Sequence, residues 1–478
     1  MVLRIYNSLT RSKQEFIPSG KEIKIYVCGV TVYDYCHLGH ARAYVVWDMV
    51  RRYLQFRYQN THTVKYIQNI TDVDDKILKR AQTEGISMLA VAEKYIQAYN
   101  EDMAQLNVLP ADFYPRATAY IPQMIQLIEN LIERGYAYVS NGDVYYAVQK
   151  FPAYGKLSGR KLEEMQAGGS GRVEEVEQKR YPLDFALWKS AKPNEPAWES
   201  PWGKGRPGWH IECSAMVRSC LGDTIDIHAG GVDLQFPHHE NEIAQSEAVT
   251  SQPLARFWMH NGFVNIDGEK MSKSLQNFKT IRSLLQIYEP MAIRLFILQS
   301  HYRQPIDFTE EAMHTATKAW HNLQGGLSFL NFYPEWQDLD MSALLDRSVL
   351  EKFTSAMDDD FNTAVAMSVL YGLAKTLQAE WNNRKHKGDT ELPIERLQGM
   401  WATLRYLLEV LGFTTTVAME QNGIGHIDPD VVEQMIAARR SARKAKNYKE
   451  SDRIRDELKA MGVILVDQPD GSTRWFVE

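Results

Sequence analysis

The N-terminal part of the chain shows a strand, a loop, a helix and a second strand in its pattern of apolar positions. Residues 23–27 alternate and are rich in β-branched side chains, which predicts a strand. Aromatic and apolar side chains then recur at helical spacing over about 40–56, and residues 63–70 predict the second strand. This order favours a parallel sheet that binds its ligand at the carboxyl ends of its strands.

An interruption separates this unit from later strand signals. Residues 121–134 predict a helix that stops at Gly135, and residues 136–146 predict a hairpin that turns at Asn141-Gly142. Small and glycine-rich residues at 167–171 are typical of a flexible loop. These features predict an inserted segment between two halves of one sheet.

Strand signals return at 223–227 and at 263–266. We therefore expect an α/β fold in which two half-sheets flank the insertion. The expected boundaries of the first half, the insertion and the second half are 1–120, 121–204 and 205–309.

Beyond residue 310 the pattern is helical, and residues 310–413 predict a helical bundle. Asn362 is expected to cap one helix, and another ends at Gly412. One face of that last helix carries Leu397, Trp401, Leu404, Leu408 and Leu411.

The last part of the chain predicts a small α+β unit after a polar linker at 414–425. Its first helix is expected to begin at Asp428-Pro429, and Asp470-Gly471 is expected to turn a terminal hairpin. We place this unit at 426–478.

Bulk composition is that of a soluble globular protein. The 478 residues are 44% hydrophobic and 24% charged, which suits two or three domains. There is no apolar run long enough to span a membrane, and the start lacks a secretory signal pattern. We therefore expect a cytoplasmic protein. The net charge of −6 does not indicate nucleic-acid binding, although a local basic patch suffices for it.

Two short motifs carry candidate phosphate chemistry. His37-Leu38-Gly39-His40 opens the first predicted helix, where free N–H groups and imidazoles can meet phosphate oxygens. Lys-Met-Ser-Lys-Ser at 270–274 follows a turn, and lysines on a loop can close over a triphosphate. Taken alone, the first motif is equally a polar helix start and the second a solvated basic loop. Together they favour attack of a carboxylate on the α-phosphate of ATP.

The two motifs resemble the signatures of the class I aminoacyl-tRNA synthetases, with Leu38 where the first signature has isoleucine. The resemblance implies a Rossmann-type catalytic core that makes an aminoacyl adenylate and transfers the acyl group to tRNA. It also implies that His37, Gly39 and His40 bind ATP, and that Lys270 and Lys273 act at the departing pyrophosphate.

Four residues are candidates for a metal site. Cys28 follows the first strand, Cys213 lies in a later segment, and His238 and Glu242 share one face if their segment is helical. Two thiolates, an imidazole and a carboxylate suit zinc. Spacing does not show that the four converge, so scattered polar or core residues remain the alternative. A zinc-peptidase motif is excluded, because Ile243 stands where its second histidine belongs.

The resemblance narrows to the cysteinyl-tRNA synthetase family on motifs spread along nearly the whole chain. They are Tyr-Val-Cys-Gly at 26–29, Gln-Asn-Ile-Thr-Asp at 68–72, the segment 208–214, and Phe-Pro-His-His-Glu-Asn-Glu at 236–242. The family implies a cysteine–tRNA ligase that uses ATP, L-cysteine and cysteine tRNA. It also implies zinc on Cys28, Cys213, His238 and Glu242, with Mg²⁺ accompanying ATP. Zinc prefers a thiolate to a hydroxyl, which would select cysteine against serine.

Further assignments follow from the residues near these motifs. Trp209 and Asp233 are candidates for the amino-acid pocket, with a core indole and a turn aspartate as the alternative. Val30 and Gln276 depart from the residues usual in the family, without removing a charge or a ligand. Two cysteines match no role and are expected to be packing residues, namely Cys36 and Cys220.

The C-terminal unit carries a basic patch over 438–459, opposed by only four acidic residues. Such a helix pair can follow an RNA backbone, with Trp475 as a candidate for base stacking, although a solvated helical face is the alternative. The resemblance implies that 310–413 contacts the tRNA stem and 426–478 the anticodon. The basic residues of the patch are Arg439, Arg440, Arg443, Lys444, Lys446, Lys449, Arg453, Arg455 and Lys459.

We therefore expect a monomeric, zinc-dependent cysteine–tRNA ligase. Two alternatives remain. One is a related ligase that passes activated cysteine to an amino sugar, which lacks the full C-terminal extension found here. The other is a non-catalytic zinc-containing RNA-binding protein, against which the intact His37, His40, Lys270 and Lys273 weigh.

Overall fold

The computed structural model describes residues 2–162, 179–193, 195–270, 278–415, 429–445, 447–460, 463–467 and 473–477. The strands of these residues are, in chain order, β1 (Arg4–Asn7), β2 (Ser12–Glu15), β3 (Glu22–Thr31), β4 (Thr63–Thr71), β5 (Ala137–Ser140), β6 (Asp143–Tyr146), β7 (Phe185–Ser190), β8 (Gly205–Pro207), β9 (Ile225–Gly231), β10 (Ala255–Asn261), β11 (Val264–Ile266), β12 (Glu269–Lys270), β13 (Ile306–Phe308), β14 (Val463–Asp467) and β15 (Thr473–Val477).

The α-helices of these residues are, in chain order, α1 (Leu38–Tyr58), α2 (Asp75–Glu84), α3 (Met88–Gln105), α4 (Ile121–Glu133), α5 (Trp209–Leu221), α6 (Glu240–Thr250), α7 (Ile281–Leu285), α8 (Pro290–Leu298), α9 (Glu310–Leu327), α10 (Arg347–Asp358), α11 (Thr363–Lys387), α12 (Ile394–Val410), α13 (Pro429–Lys444) and α14 (Tyr448–Ala460). Among the described residues, the structure contains no helix with both the length and the apolar character needed to cross a membrane.

The catalytic core is built around a parallel sheet with the strand order β10-β9-β3-β4. Strand β3 pairs with β4 on one side and with β9 on the other, so the two halves of the sheet meet at β3. Its apolar residues are buried on both faces, as expected for a sheet covered by helices. The α/β fold class predicted from the pattern of elements is therefore the one observed.

Strand β3 is longer than the pattern predicted, because it continues through a bulge. Its register against β4 shifts between Val27 and Val30, which places Cys28 and Gly29 in the irregular stretch. The Gly29 N–H donates to Asn69 Oδ1 at 2.7 Å. A Cβ on Gly29 would lie 1.6 Å from the carbonyl oxygen of Asn69, so only glycine fits there. The bulge thus turns Cys28 out of the regular ladder.

The insertion forms its own antiparallel sheet in the order β5-β6-β7-β8. The predicted hairpin is present as β5 and β6, and its turn residues Asn141 and Gly142 have φ values of 53° and 86°. Both angles are positive, as a type I′ turn requires. The loop predicted at 167–171 lies outside the described residues.

The segment 263–266 takes a different place from the one expected. It forms β11 in a small sheet with β12 and β13, outside the central sheet. The edge strand of the central sheet is instead β10, whose mixture of aromatic, apolar and polar residues gave no clear alternating pattern.

The helices beyond residue 310 pack as a bundle against the core. Asn362 caps α11, accepting a hydrogen bond from the Val365 N–H at 3.2 Å, and Gly412 has the left-handed φ of 77° that ends α12. Arg294 of α8 is fully buried and joins the bundle to the core, since it pairs with Asp48 of α1 and donates to the Leu411 carbonyl. Residues 416–428 lie outside the described part of the chain.

Candidate active site

Four residues from distant parts of the chain meet at the carboxyl ends of the central strands. Cys28 comes from the bulge of β3, Cys213 from α5, and His238 and Glu242 from the turn that opens α6. Cys28 Sγ lies 3.9 Å from Cys213 Sγ and 3.6 Å from Glu242 Oε1, and His238 Nε2 lies 3.1 Å from Glu242 Oε1. All four side chains are buried. We call these four residues the donor cluster.

The geometry of the donor cluster fits a tetrahedral zinc ion. One ligand atom from each of the four residues lies within 4.8 Å of the others. Two sulfurs bound to zinc at about 2.3 Å with a tetrahedral angle are about 3.8 Å apart. The observed Cys28–Cys213 separation of 3.9 Å is close to that value. The donor types, two sulfurs with one nitrogen and one oxygen, are those that zinc accepts.

Burial favours the neutral forms of Cys28 and His238. It raises the pKa of the Cys28 thiol well above its ordinary value, and the adjacent Cys213 adds to the shift. It lowers the pKa of His238 well below its ordinary value, so that the imidazole is unprotonated. A neutral imidazole is the metal-binding form, whereas the thiols must lose protons to a bound ion.

A set of four further histidines surrounds the donor cluster, and the sequence analysis did not assign them. We call His210, His228, His239 and His260 the imidazole layer. His239 Nε2 lies 3.3 Å from Cys28 Sγ, and His228 Nε2 lies 2.9 Å from Glu242 Oε2. His210 Nδ1 lies 2.9 Å from His238 Nδ1. Each of these three histidines therefore contacts a different member of the donor cluster.

The hydrogen bonds of this layer have one consistent direction when Cys28 is a thiolate. His239 Nε2–H then donates to the sulfur, and its Nδ1 accepts from His260 Nε2–H at 2.9 Å. His260 Nδ1 in turn accepts from the hydroxyl of Ser8 at 2.8 Å. Ser8 and His260 thus fix the orientation and the tautomer of His239, which contacts the candidate ligand Cys28. His260 lies near the carboxyl end of β10, whereas His228 lies in the middle of β9, so position along a strand does not mark this layer in the sequence.

The His37-Leu38-Gly39-His40 motif opens α1, as predicted. His37 is the N-cap residue, and its backbone N–H donates to His40 Nδ1 at 3.1 Å. The two imidazole rings stack with centroids 3.8 Å apart. Because Nδ1 of His40 accepts this bond, a neutral ring carries its proton on Nε2, where it is a donor for an anion. Gly39 lies between the two histidines, in the first turn of α1.

The second motif begins at the end of a short hairpin. Lys270 is the last residue of β12 and pairs through its backbone with Asn265 of β11. Lys273 and Gln276 lie outside the described residues. The chain is described again from Phe278, whose ring lies 4.8 Å from that of His37. The segment from Phe278 onward therefore returns to the residues that open α1.

One candidate residue of the amino-acid pocket, Trp209, lies beside the donor cluster. Trp209 is 39% exposed and stacks on His238 with ring centroids 4.3 Å apart. Asp233 is exposed in the turn between β9 and α6, next to Gly231. Val30 is buried within β3.

A buried hydrogen bond links Thr71 of β4 to α5. The Thr71 hydroxyl donates to Glu212 Oε2 at 2.8 Å, and burial raises the pKa of Glu212 well above its ordinary value. The sequence analysis did not assign either residue.

The remaining cysteines lie outside the donor cluster. Cys36 is buried in the core beside α1, where burial raises its pKa. Cys220 is partly buried at the end of α5, with its sulfur 3.3 Å from the Tyr120 hydroxyl.

In the C-terminal unit the basic patch is partly paired with its acidic neighbours. Arg453 pairs with Glu450 and Glu457, and Arg455 lies 3.5 Å from Asp452. The backbone of Trp475 belongs to β15, and its side chain lies outside the description, as does all of Lys446.

Three family models match successive parts of the chain. The model of the tRNA synthetases class I (C) catalytic domain matches residues 15–318, and the DALR domain model matches 352–415. The model of the cysteinyl-tRNA ligase anticodon binding domain matches residues 429–475.

Curated relatives are similar over their full length. The cysteine–tRNA ligase of Cyanothece sp. is 56% identical, with 100% of both chains covered. That of Rippkaea orientalis is also 56% identical with 99% coverage of each chain, and that of Synechocystis sp. is 54% identical with 100% coverage.

Solved structures of similar fold include two other synthetases. Mycobacterium tuberculosis methionyl-tRNA synthetase in complex with methionyl-adenylate gives a TM-score of 0.54 at 16% identity, covering 82% of this chain and 90% of that one. A putative arginyl-tRNA synthetase from Campylobacter jejuni gives 0.56 at 11% identity, covering 84% and 95%. These likenesses confirm the fold. With its catalytic-domain match and its full-length relatives, the chain belongs to the cysteinyl-tRNA synthetase family of the class I aminoacyl-tRNA synthetases.

Proposed function

We propose that this protein activates L-cysteine with ATP and transfers the cysteinyl group to the 3′ end of cysteine tRNA. One observation carries the proposal. The buried two-sulfur donor cluster and the start of α1 lie at the same end of the parallel sheet, where the central strands have their carboxyl ends. An ATP bound at this edge meets the N-terminus of a helix, and a cysteine bound there meets sulfur-preferring ligands.

His37, Gly39 and His40 bind ATP in this proposal. The free N–H groups at the start of α1 and the Nε2–H of His40 donate to phosphate oxygens, which gain charge as the cysteine carboxylate attacks the α-phosphate. Lys270 and Lys273 neutralise the departing pyrophosphate from the loop that follows β12. Mg²⁺ accompanies the nucleotide. The four charged or imidazole side chains thus stabilise the transition state rather than form covalent bonds.

Cys28, Cys213, His238 and Glu242 would hold zinc, which when bound supplies a Lewis acid that prefers the substrate thiolate to the hydroxyl of serine. Trp209 covers His238 and forms one wall of the amino-acid pocket. Asp233 accepts hydrogen bonds from the substrate ammonium group. Selection by ligand chemistry removes the need to separate two nearly isosteric side chains by size.

Each part of the chain has a proposed role in catalysis or in tRNA binding. We assign 1–120 and 205–309 to the two halves of the catalytic domain, 121–204 to the connective insertion, 310–413 to a bundle that contacts the tRNA stem, and 426–478 to anticodon binding. The cysteinyl-tRNA ligase anticodon binding domain match at 429–475 supports the last assignment and argues against an amino-sugar acceptor. The protein acts as a monomer in the cytoplasm.

Charging of total cellular tRNA tests the substrates. With ATP present, we expect cysteine to be attached to tRNA and serine, the control, to remain unattached. Absence of charging, with cysteine-dependent pyrophosphate exchange still present, would show an adenylating core with a different acceptor. Attachment of serine at the rate of cysteine would contradict selection by the donor cluster.

Two pairs of variants test the residues. Lys273→Ala is expected to abolish adenylate formation, whereas Lys387→Ala, on an exposed lysine of α11, should leave it unchanged. Cys213→Ser should purify without zinc, whereas Cys220→Ser, on the same helix outside the donor cluster, should retain one zinc per chain. Normal cysteine activation by Lys273→Ala, or by folded protein freed of zinc, would refute the corresponding assignment.

A further inference from the structure

The segment that follows the second signature motif returns to the first one. We call residues 278–282 the loop root. The Leu38 N–H donates to the Lys279 carbonyl at 3.0 Å, and the Ile281 N–H donates to the Cys36 carbonyl at 2.9 Å. Thr280 forms a β-bridge with His37. Backbone hydrogen bonds therefore hold the loop root directly against the residues that open α1.

Arg282 ends the loop root and fastens it to α3. Its guanidinium donates to Glu101 Oε2 at 2.5 Å and to the Ala98 carbonyl at 3.3 Å, and its Nε lies 3.0 Å from Asp102 Oδ1. The same group lies over the ring of Tyr35, 5.1 Å from its centroid. Arg282 is 37% exposed, whereas Asp102 has no exposed surface. One partly exposed side chain thus contacts α3 at three points and Tyr35 at a fourth.

Ile281 and Leu284 hold helix α7 to the core by burial, and Arg282 adds a polar anchor to this short helix. Helix α7 has only five residues, which is too short for a helix to be stable by itself. The planar guanidinium can satisfy two carboxylates at once in a fixed direction, which the single ammonium of a lysine cannot. The geometry of this anchor therefore limits the directions in which residues 278–280 can approach α7.

We propose that Arg282 is a positioning residue for adenylate formation, which sets the C-terminal root of the loop that carries Lys273. This proposal rests on the proposed function, because it assumes that the loop acts on ATP. The proposed role does not require Arg282 to contact a substrate. Through Glu101 and Asp102, Arg282 holds the root beside His37, so that the loop lysines reach the same nucleotide that the start of α1 binds.

Pyrophosphate exchange at varied ATP and varied cysteine tests the proposal. A displacement of about 1 Å in a positioning group costs up to roughly 100-fold. We expect Arg282→Ala to lower kcat/KM for ATP by about 10- to 100-fold, with the KM for cysteine within about twofold of the wild type. Arg282→Lys should recover only part of the loss. A rise in the KM for cysteine as large as the rise in the KM for ATP would overturn the proposal.

The chain offers a matched control arginine in the bundle. Arg405 also pairs with a carboxylate, Glu409 at 3.1 Å, donates to a backbone carbonyl, that of Gln337 at 2.9 Å, and lies over an indole, Trp401 at 5.5 Å. Arg405→Ala should therefore lose the same kinds of contact without changing exchange kinetics. An equal loss of kcat/KM for ATP in Arg405→Ala would overturn a specific role for Arg282.

A double variant separates positioning from stability. Removing Arg282 leaves the Asp102 carboxylate buried without its cation, so Arg282→Ala is expected to lower the melting temperature. Asp102→Asn in that background removes the charge and should restore the melting temperature but not the ATP dependence. Recovery of both would show that Arg282 is only structural and overturn the proposal.

The same assay distinguishes this proposal from the proposed function. Normal exchange by Lys273→Ala would overturn the proposed site itself. An inactive Lys273→Ala beside an Arg282→Ala with normal ATP dependence would overturn only the role of Arg282.

Discussion

The hydrogen bond between His239 and Cys28 should control how tightly the donor cluster holds its metal. His239 is completely buried, and its Nε2 lies 3.3 Å from Cys28 Sγ. His239→Phe keeps a planar ring of similar size and removes both nitrogens. The thiolate then loses a donor, and His260 Nε2–H loses the acceptor it has at 2.9 Å.

Two separate costs follow from this substitution. Loss of an outer hydrogen bond to a metal ligand lowers metal affinity by about 10- to 100-fold, or about 1.4–2.7 kcal/mol. The stranded N–H of His260 costs about 1–3 kcal/mol of folding free energy. The second cost is removed when His260 is also replaced and Ser8, whose hydroxyl donates to His260 at 2.8 Å, is changed to alanine, whereas the first cost remains.

Competition with a colorimetric zinc chelator measures the affinity, and thermal unfolding measures the stability. We expect His239→Phe to have both a lower zinc affinity and a lower thermal stability than the wild type. The triple variant His239→Phe/His260→Phe/Ser8→Ala should recover stability while its zinc affinity stays low. Zinc affinity within about twofold of wild type in the single variant would refute the role of this hydrogen bond. Recovery of affinity in the triple variant would show that the loss came from misfolding instead.

Three further predictions concern the core. Gly29→Ala places a Cβ 1.6 Å from the Asn69 carbonyl oxygen, so the bulge must shift and the purified protein should contain less zinc; full zinc content would contradict the need for glycine. Burial lowers the pKa of His260 from 6.5 to about 3. Between these two pH values only the unfolded chain binds a proton at His260, so the free energy of unfolding decreases as the pH is lowered below 6.5. Guanidinium titrations of metal-free protein at pH 5.5 and 4.5 should give His260→Gln a slope smaller by about 1.4 kcal/mol per pH unit; equal slopes would show that this residue is not involved. Arg294→Met removes one of the two cations beside Asp48, which keeps Arg52 at 2.8 Å, and takes the donor away from the Leu411 carbonyl, so it should cost about 1–3 kcal/mol in chemical denaturation. A cost below about 1 kcal/mol would mean that the pair behaves like one on the surface.

Much of the candidate site was open to sequence reasoning because its chemistry depends on residue type. Cys28, Cys213, His238 and Glu242 are candidate metal donors by residue type, the family resemblance implies them as one zinc-binding set, and the structure brings all four together. The helix start at His37 was also recognisable, since a histidine-glycine-histidine turn after a strand marks a helix N-terminus. The role of each group stays a prediction until the variants are measured.

The imidazole layer was not open to the same reasoning. His228 and His260 each stand alone in a strand, where a histidine is usually a packing residue, and His239 directly follows the candidate ligand His238. Their function depends on distances such as the 2.9 Å between His228 and Glu242. Arg282 is similar, because it pairs with residues 181 positions earlier in the chain.

The sequence by itself determined the element types, the donor chemistry and the family of this protein. Local periodicity sets helices and strands, and residue type sets which atoms can bind a metal or a phosphate. Only the tertiary structure decided which residues meet. Cys28 and Cys213 are 185 positions apart, and their 3.9 Å contact depends on the bulge of β3 and the docking of α5 beside it. Such contacts come from sheet order and packing, which involve the whole chain at once and leave no local pattern to detect.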